Sequence, residues 1–255
     1  MKRVEMEREM NKTVKVAVII PCYNEQDNVL AMFSEIKNAN YDSAYFVEPI
    51  FINDCSTDNT KQILVSNNIH HLSLPVNLGI GGAVQTGFKY ALRNGFDIAI
   101  QMDGDGQHPP CELEKIISPL LNNQADVVIG SRYISNEGFQ SSWLRRVGIN
   151  YFKWLNKKLV GVTITDSTSG YRAINHKALQ VVSEYYPDEY PEPEAIVLFA
   201  LNNLKIIEVP VIMRERQGGK SSIRAYKTVY YMFKVTLGTI FLYIRLKFNG
   251  KRHTI

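Results

Sequence analysis

The stretch "QMDGDGQHPP", residues 101–110, places Asp103 and Asp105 on either side of one glycine, and Gln107 follows. It comes directly after the apolar run "FDIAI", which is typical of a buried strand. Mg²⁺ sites commonly take one or two carboxylates and complete their octahedron with water and substrate phosphates. The stretch therefore indicates a divalent-cation site for a phosphorylated ligand. An Asp-Gly turn that binds nothing is the alternative.

A calcium loop of the EF-hand type is excluded by the residues that follow. Glu114 is twelfth when Asp103 is counted as first, which matches the last ligand of such a loop. However, the sixth position is His108, where the loop requires glycine, and two prolines come next. A strand rather than a helix also precedes it. A small, hard cation with phosphate ligands remains the better interpretation.

Apolar runs of strand length alternate with helical segments along most of the chain. The predicted strands are "VKVAVII", "PIFIN", "DIAIQM", "DVVIG" and "KIIEVPVI", with helical segments such as "NVLAMFSEIKN" and "AVQTGFKYALRN" between them. Continuous β-branched runs are typical of strands covered on both faces, and the alternation predicts right-handed βαβ units in a parallel sheet. We therefore expect a doubly wound α/β domain over residues 14–223, a leader over 1–13 and a basic amphipathic helix over 224–255.

Polar residues follow four of the five predicted strands, at the strand ends where ligands bind such sheets. These strand ends are "PCYNE", "NDCSTDNT", "DGDGQH" and "SRY". Helix capping alone would explain Asn24 or Asp58. Four polar strand ends on one edge of a sheet favour a binding site instead.

Composition excludes several classes of protein. With 255 residues and 45% hydrophobic side chains, the chain is long enough for one substantial α/β domain and is not disordered. Three cysteines without C-x-x-C spacing indicate neither a disulfide framework nor a zinc site. Three glutamates near the N-terminus, where a signal peptide needs an apolar region, predict a cytoplasmic protein that is not exported. "GIGGAVQTG" is neither a dinucleotide-binding motif nor a P-loop. No serine triad is visible, and nucleic-acid binding is disfavoured because the basic residues follow apolar helices.

Seven ordered motifs resemble those of a known family. They are "IPCYNE", "INDCSTDNT", "NLGIGGAVQTGFKYA", "QMDGDGQH", "GSRY", "DSTSGYRA" and "EVPVIMRERQGGKSS". The chain resembles the inverting family 2 glycosyltransferases of GT-A fold, and within them the dolichyl-phosphate mannose synthase and polyprenyl-phosphate glycosyltransferase group. The resemblance implies transfer of a sugar from a UDP- or GDP-linked nucleotide sugar, with Mg²⁺ or Mn²⁺ as cofactor. The implied acceptor is a polyprenyl phosphate or a lipid-linked glycan precursor of the cell surface.

The resemblance also assigns roles to individual residues. The nucleotide pocket would contain Pro21, Tyr23, Asn24, Glu25, Asp54 and Asp103. The metal and diphosphate site would contain Asp103, Asp105 and Gln107, with Asp105 catalytic. Contacts to the diphosphate or to an acceptor phosphate would come from Arg132, Arg146, Arg216 and Ser221. Asn150 departs from the pattern, since the lipid-phosphate enzymes tend to have serine there.

Glu192 and Glu194 lie roughly where other family 2 members carry an acidic catalytic base. A hydroxyl acceptor needs a base to remove its proton, whereas a phosphate acceptor is already an anion. Of the two, Glu194 is the candidate catalytic residue. Both glutamates would also suit the first turn of the helix that follows, with no role in catalysis.

The C-terminal region is basic and aromatic. Residues 211–255 carry ten Lys or Arg and one acidic residue, yet the longest charge-free run, 235–244, is ten residues, too short for a membrane span of roughly 20. Lys227, Lys234, Gly238 and Arg245 project within about 20° of one line on a helix. Such a helix could lie on the inner face of the cell membrane, pack on a membrane protein or a second copy, or dock on its own domain. Residues 141–161 form a second aromatic and basic segment, with Trp143 and Trp154.

Two other functions remain for comparison. One is a nucleotide-sugar-binding subunit that recruits a membrane partner and has no turnover of its own. The other is a sugar nucleotidyltransferase, which would need a glycine-rich loop with Arg or Lys after the first strand. The segment "PCYNEQDN" lacks that loop, so this second function is disfavoured.

Overall fold

The computed structural model describes residues 13–135, 137, 143–215 and 227–249. The strands are β1 (Val14–Cys22), β2 (Tyr45–Asn53), β3 (His71–Ser73), β4 (Ile98–Gln101), β5 (Val127–Ser131), β6 (Arg172–Asn175) and β7 (Ile206–Pro210). The helices are α1 (Val29–Asn38), α2 (Thr60–Ser66), α3 (Gly79–Arg93), α4 (Leu113–Leu121), α5 (Trp143–Val160), α6 (His176–Glu184), α7 (Pro191–Leu201) and α8 (Lys227–Asn249). The predicted leader lies almost entirely outside the described residues, and the predicted domain boundary at residue 224 stays a prediction.

The strands form one seven-stranded sheet in the order β3-β2-β1-β4-β6-β5-β7. All neighbouring pairs are parallel except those of β6, which is antiparallel to both β4 and β5. The expected fold class, a mostly parallel sheet flanked by helices, is confirmed. The sequence "RAIN" of β6 is only four residues long and gives no periodicity, so its insertion between β4 and β5 was missed.

The central strand β1 explains why the sheet is covered on both faces. Residues Val16 to Ile20 are fully buried, and side chains alternate between two apolar clusters. Val16, Val18 and Ile20 belong to the cluster that contains α1, α2 and α4. Ala17 and Ile19 belong to the cluster with α3, α6 and α7. Each fully buried aliphatic side chain stabilises the fold by about 1.5–3 kcal/mol, so this strand anchors both layers.

The register of β1 with its neighbours brings three strand ends together. Cys22 at the end of β1 is paired with Asn53 at the end of β2. On the other side, Ile19 of β1 is paired with Gln101, the last residue of β4. The segments that follow these three strands therefore emerge side by side at one edge of the sheet.

The C-terminal helix α8 docks on the domain through one face. Its buried residues are Val235, Thr239 and Leu242, and it contacts α7 and α5. Of the alternatives for this segment, docking on its own domain is therefore observed, while the opposite face of the helix remains exposed. Within the part of the chain that the structure describes, no helix is both long enough and apolar enough to cross a bilayer.

Candidate active site

A cavity of about 510 Å³ opens where β1, β2 and β4 end. This volume lies in the range of small-molecule sites. Six residues predicted from the sequence line it: Pro21, Tyr23, Glu25, Asp54, Asp103 and Asp105. The predicted strand-end site is thus assembled in space from three separate segments.

The cavity is strongly acidic. Five carboxylates line it, from Glu25, Asp54, Asp103, Asp105 and Glu192. Among the described residues, no lysine or arginine lines it. Like charges at about 4 Å repel by about 4 kcal/mol at an effective dielectric constant near 20, so a diphosphate would enter this cavity only with a compensating cation.

The two aspartates lie on a loop that passes very close to β1. A Cβ atom on Gly104, between them, would be 2.7 Å from the carbonyl oxygen of Pro21, so only glycine fits there. The carboxylate of Asp105 also accepts a hydrogen bond from the Gln107 backbone N–H at 3.1 Å. The loop therefore holds both aspartates against the end of β1.

Asp103 and Asp105 fit a Mg²⁺ or Mn²⁺ ion that is completed by ligand phosphates. In residues 13–135, 137, 143–215 and 227–249, no group of three or more His, Cys, Asp or Glu side chains forms a complete metal site. Mg²⁺ in proteins is usually bound by one or two carboxylates with phosphates and water, which is what this pair offers. The side chain of Gln107, the third predicted ligand, instead donates to the carbonyl oxygen of Arg214 at 3.4 Å and does not line the cavity.

His108, directly after Gln107, was missed as a site residue. It is buried, and its Nδ1 accepts the backbone N–H of Asp103 at 3.0 Å. Burial lowers the pKa of this imidazole to about 4, so the ring is neutral at pH 7 with its proton on Nε2. In the sequence, only the two prolines directly after His108 indicate that this residue is held in a fixed position.

Tyr23 and Asp54, the residues directly after β1 and β2, line the cavity. Asp54 is buried and its Oδ1 accepts the backbone N–H of Leu78 at 2.7 Å, while Tyr23 is half exposed at the rim. Asn24, which was predicted to bind nucleotide, does not line the cavity. Its side-chain oxygen accepts the backbone N–H of Thr57 at 2.8 Å and so joins the loops after β1 and β2.

Two of the predicted phosphate-binding arginines, Arg132 and Arg146, do not line the cavity. Arg132, after β5, forms a buried bidentate ion pair with Asp166, with both N–O distances 2.7 Å. Arg146 is exposed on α5. Arg216 and Ser221 lie outside the described residues. Contacts of these four residues with phosphate stay predictions.

Glu192 and Glu194 face different parts of the molecule. Glu192 lines the cavity, receives a hydrogen bond from Gln101 at 3.4 Å, and has a pKa raised by burial. Glu194 lies against Gly238 of α8, where a Cβ atom would be 2.5 Å from its Oε1. Residues two positions apart project about 200° apart on a helix, which explains the difference. Of the two glutamates, Glu192 lines the cavity and Glu194 does not, and the catalytic role predicted for Glu194 stays a prediction.

Comparison with known proteins agrees with this geometry. Residues 17–182 match the family model described as "Glycosyl transferase family 2". The chain belongs to this family. It is therefore an enzyme of the glycosyltransferase class, and the family predicted from the motifs is confirmed.

Two relatives and one solved structure extend the comparison. The chain is 32% identical over 244 residues to a UDP-N-acetylglucosamine–dolichyl-phosphate N-acetylglucosaminyltransferase of Methanococcus voltae, covering 88% of this chain and 89% of that protein. It is 30% identical over 233 residues to a polyprenol monophosphomannose synthase of Mycolicibacterium smegmatis, covering 88% and 86% of the two chains. A glucosyl-3-phosphoglycerate synthase from Mycobacterium tuberculosis, crystallised with Mn²⁺, UDP-glucose and glycerol 3-phosphate, superposes with a TM-score of 0.66 at 17% identity, covering 94% and 83%. That likeness shows the fold, which is the GT-A fold expected from the motifs.

Proposed function

We propose that this glycosyltransferase transfers a sugar from a UDP- or GDP-linked nucleotide sugar to a polyprenyl phosphate, with inversion at the anomeric carbon and with Mg²⁺ or Mn²⁺. The observation that carries the proposal is the acidic cavity at the sheet edge, which Asp103 and Asp105 line. The names of the Methanococcus and Mycolicibacterium relatives support a lipid-phosphate acceptor.

The acidic cavity suits a donor whose charge is neutralised by a metal. When bound, the divalent cation would stabilise the negative charge that develops on the leaving diphosphate. Asp103 and Asp105 would hold it, and Asp54 with Tyr23 would contact the base or ribose at the wall. An oxygen of the acceptor phosphate forms the new bond to the anomeric carbon while the bond to the diphosphate breaks.

A phosphate acceptor requires no base, because its attacking oxygen is already an anion. A hydroxyl of a lipid-linked glycan would require one, and Glu192 is the carboxylate at the cavity that could serve. Its raised pKa would suit a base, so glycan extension is the second candidate acceptor reaction. A Glu192→Gln variant separates the two, since only the hydroxyl reaction should lose most of its rate.

A polyprenyl acceptor resides in a membrane, so the enzyme must reach a membrane surface. The exposed face of α8 carries a row of aromatic side chains, Tyr230, Phe233, Phe241 and Phe248, each more than 60% exposed. Lys234, Arg245 and Lys247 flank this row. Aromatic side chains with basic residues beside them are typical of helices that lie in an anionic membrane interface. We therefore place the protein peripherally on the inner face of the cell membrane. The alternatives are that a membrane protein or a second copy of this chain binds the exposed face of α8.

The test is transfer of radiolabelled sugar from a panel of UDP- and GDP-sugars to undecaprenyl phosphate in detergent. We expect an organic-extractable product with Mn²⁺ or Mg²⁺ and none with excess EDTA. Asp105→Asn should abolish transfer, whereas Asp42→Asn, the same change at an exposed turn away from the cavity, should not. Donor binding without transfer to any lipid phosphate or glycan acceptor would favour a non-catalytic subunit instead.

A further inference from the structure

Asp103 is held by two separate segments of the chain. Its backbone N–H donates to Nδ1 of His108 at 3.0 Å, and its Oδ2 lies 3.8 Å from Nε2 of the same ring. On another side, a Cβ atom on Gly170 would be 2.7 Å from Oδ1 of Asp103. The carboxylate therefore lies between the imidazole edge and the backbone before β6.

The imidazole is itself fixed. Its ring is 5% exposed and stacks on the ring of Tyr171, with centroids 4.6 Å apart and an interplanar angle of 6°. The Tyr171 hydroxyl donates to the carbonyl oxygen of Pro109 at 3.2 Å, which ties the metal loop to the start of β6. His108 is thus held by the stack on one face of its ring and by the hydrogen bond at Nδ1.

We propose that His108 is a positioning residue, whose Nδ1 holds the backbone of Asp103 so that the carboxylate is oriented toward the divalent cation. The inference rests on the metal-dependent function proposed above. Nε2 of the ring lies 3.8 Å from Oδ2 of Asp103, beyond hydrogen-bonding distance, so the hydrogen bond by which the ring positions Asp103 is the one at Nδ1. Loss of such an outer partner typically lowers metal affinity by about 10- to 100-fold.

The competing explanation is that His108 only fills space in the core. Two substitutions separate hydrogen bonding from packing. His108→Phe keeps a flat ring to stack on Tyr171 but has no acceptor for the Asp103 N–H. His108→Asn keeps an acceptor at the δ position but loses most of the stack.

The experiment is a titration of Mn²⁺ into the full chain in the presence of UDP, and separately of GDP, with free Mn²⁺ followed by electron paramagnetic resonance. Thermal melting of each variant without metal reports its folding. We expect His108→Phe to melt near the unaltered protein yet bind Mn²⁺ about 10- to 100-fold more weakly. We expect His108→Asn to melt earlier but to bind Mn²⁺ nearly as well as the unaltered protein.

Two results would overturn the assignment. One is unaltered Mn²⁺ affinity in His108→Phe. The other is a loss of Mn²⁺ affinity in His108→Asn as large as that in His108→Phe. If His108→Phe does not fold, the Mn²⁺ affinity of His108→Asn alone decides the question. If the unaltered protein binds no Mn²⁺ with either nucleotide, the metal-dependent function fails first, and the role of His108 fails with it.

Discussion

Replacing Arg132 with methionine should destabilise the protein strongly, because it leaves a buried carboxylate without its positively charged partner. The Asp166 side chain is fully buried, the Arg132 side chain is 6% exposed, and two hydrogen bonds of 2.7 Å join them. Removing one partner of such a pair costs about 3–5 kcal/mol. At about 2–4 °C per kcal/mol for a chain of this size, the melting temperature should fall by roughly 6 to 20 °C.

Urea denaturation and calorimetry measure this effect, and the double variant Arg132→Met with Asp166→Asn is the matched control. Because the second change removes the unpaired charge, the double variant should regain much of the lost stability. A loss below about 1 kcal/mol in the single variant, as for an exposed pair, would refute the reasoning. Sugar transfer by the restabilised double variant then reports separately on the predicted phosphate contact of Arg132, which stability alone does not test.

Two further predictions concern Glu194 of α7, which packs against α8, and the exposed face of α8. Burial, followed by Asp188 and other nearby acids, raises the pKa of Glu194 from 4.5 to about 7, so its contribution to stability is present below pH 4.5 and is lost as pH rises through about 7. Glu194→Gln should flatten this part of the stability–pH curve in urea titrations, and an unchanged curve would contradict the assignment. Phe233→Ser with Phe241→Ser should reduce co-sedimentation with anionic vesicles, whereas Phe46→Ser, an exposed phenylalanine outside α8, should not. Equal vesicle binding by the double α8 variant and by Phe46→Ser would exclude a membrane role for the exposed face of α8.

The candidate site could be predicted from the sequence where backbone topology alone determines position. Asp54 follows β2 and Asp103 comes after β4, the two strands on either side of β1, and the ends of parallel strands meet at one edge of a sheet whatever the side chains do. The motif residues Pro21, Tyr23 and Glu25 reach the cavity for the same reason.

Features that depend on long-range contacts or on helix phase could not be predicted in this way. Strand β6 is too short to show periodicity, and the pairing of Arg132 with Asp166 joins residues far apart in the sequence. Choosing between Glu192 and Glu194 required knowing where α7 begins, since two residues turn the side chain to the opposite side.

The central claim is that the acidic cavity binds the donor diphosphate through a divalent cation on Asp103 and Asp105. Isothermal titration of UDP and GDP into the protein, with Mn²⁺ and with EDTA, tests it most directly. The account predicts nucleotide binding with Mn²⁺, little or none with EDTA, and loss of the Mn²⁺-dependent binding in Asp103→Asn and Asp105→Asn. Equal affinity with Mn²⁺ and with EDTA would contradict it.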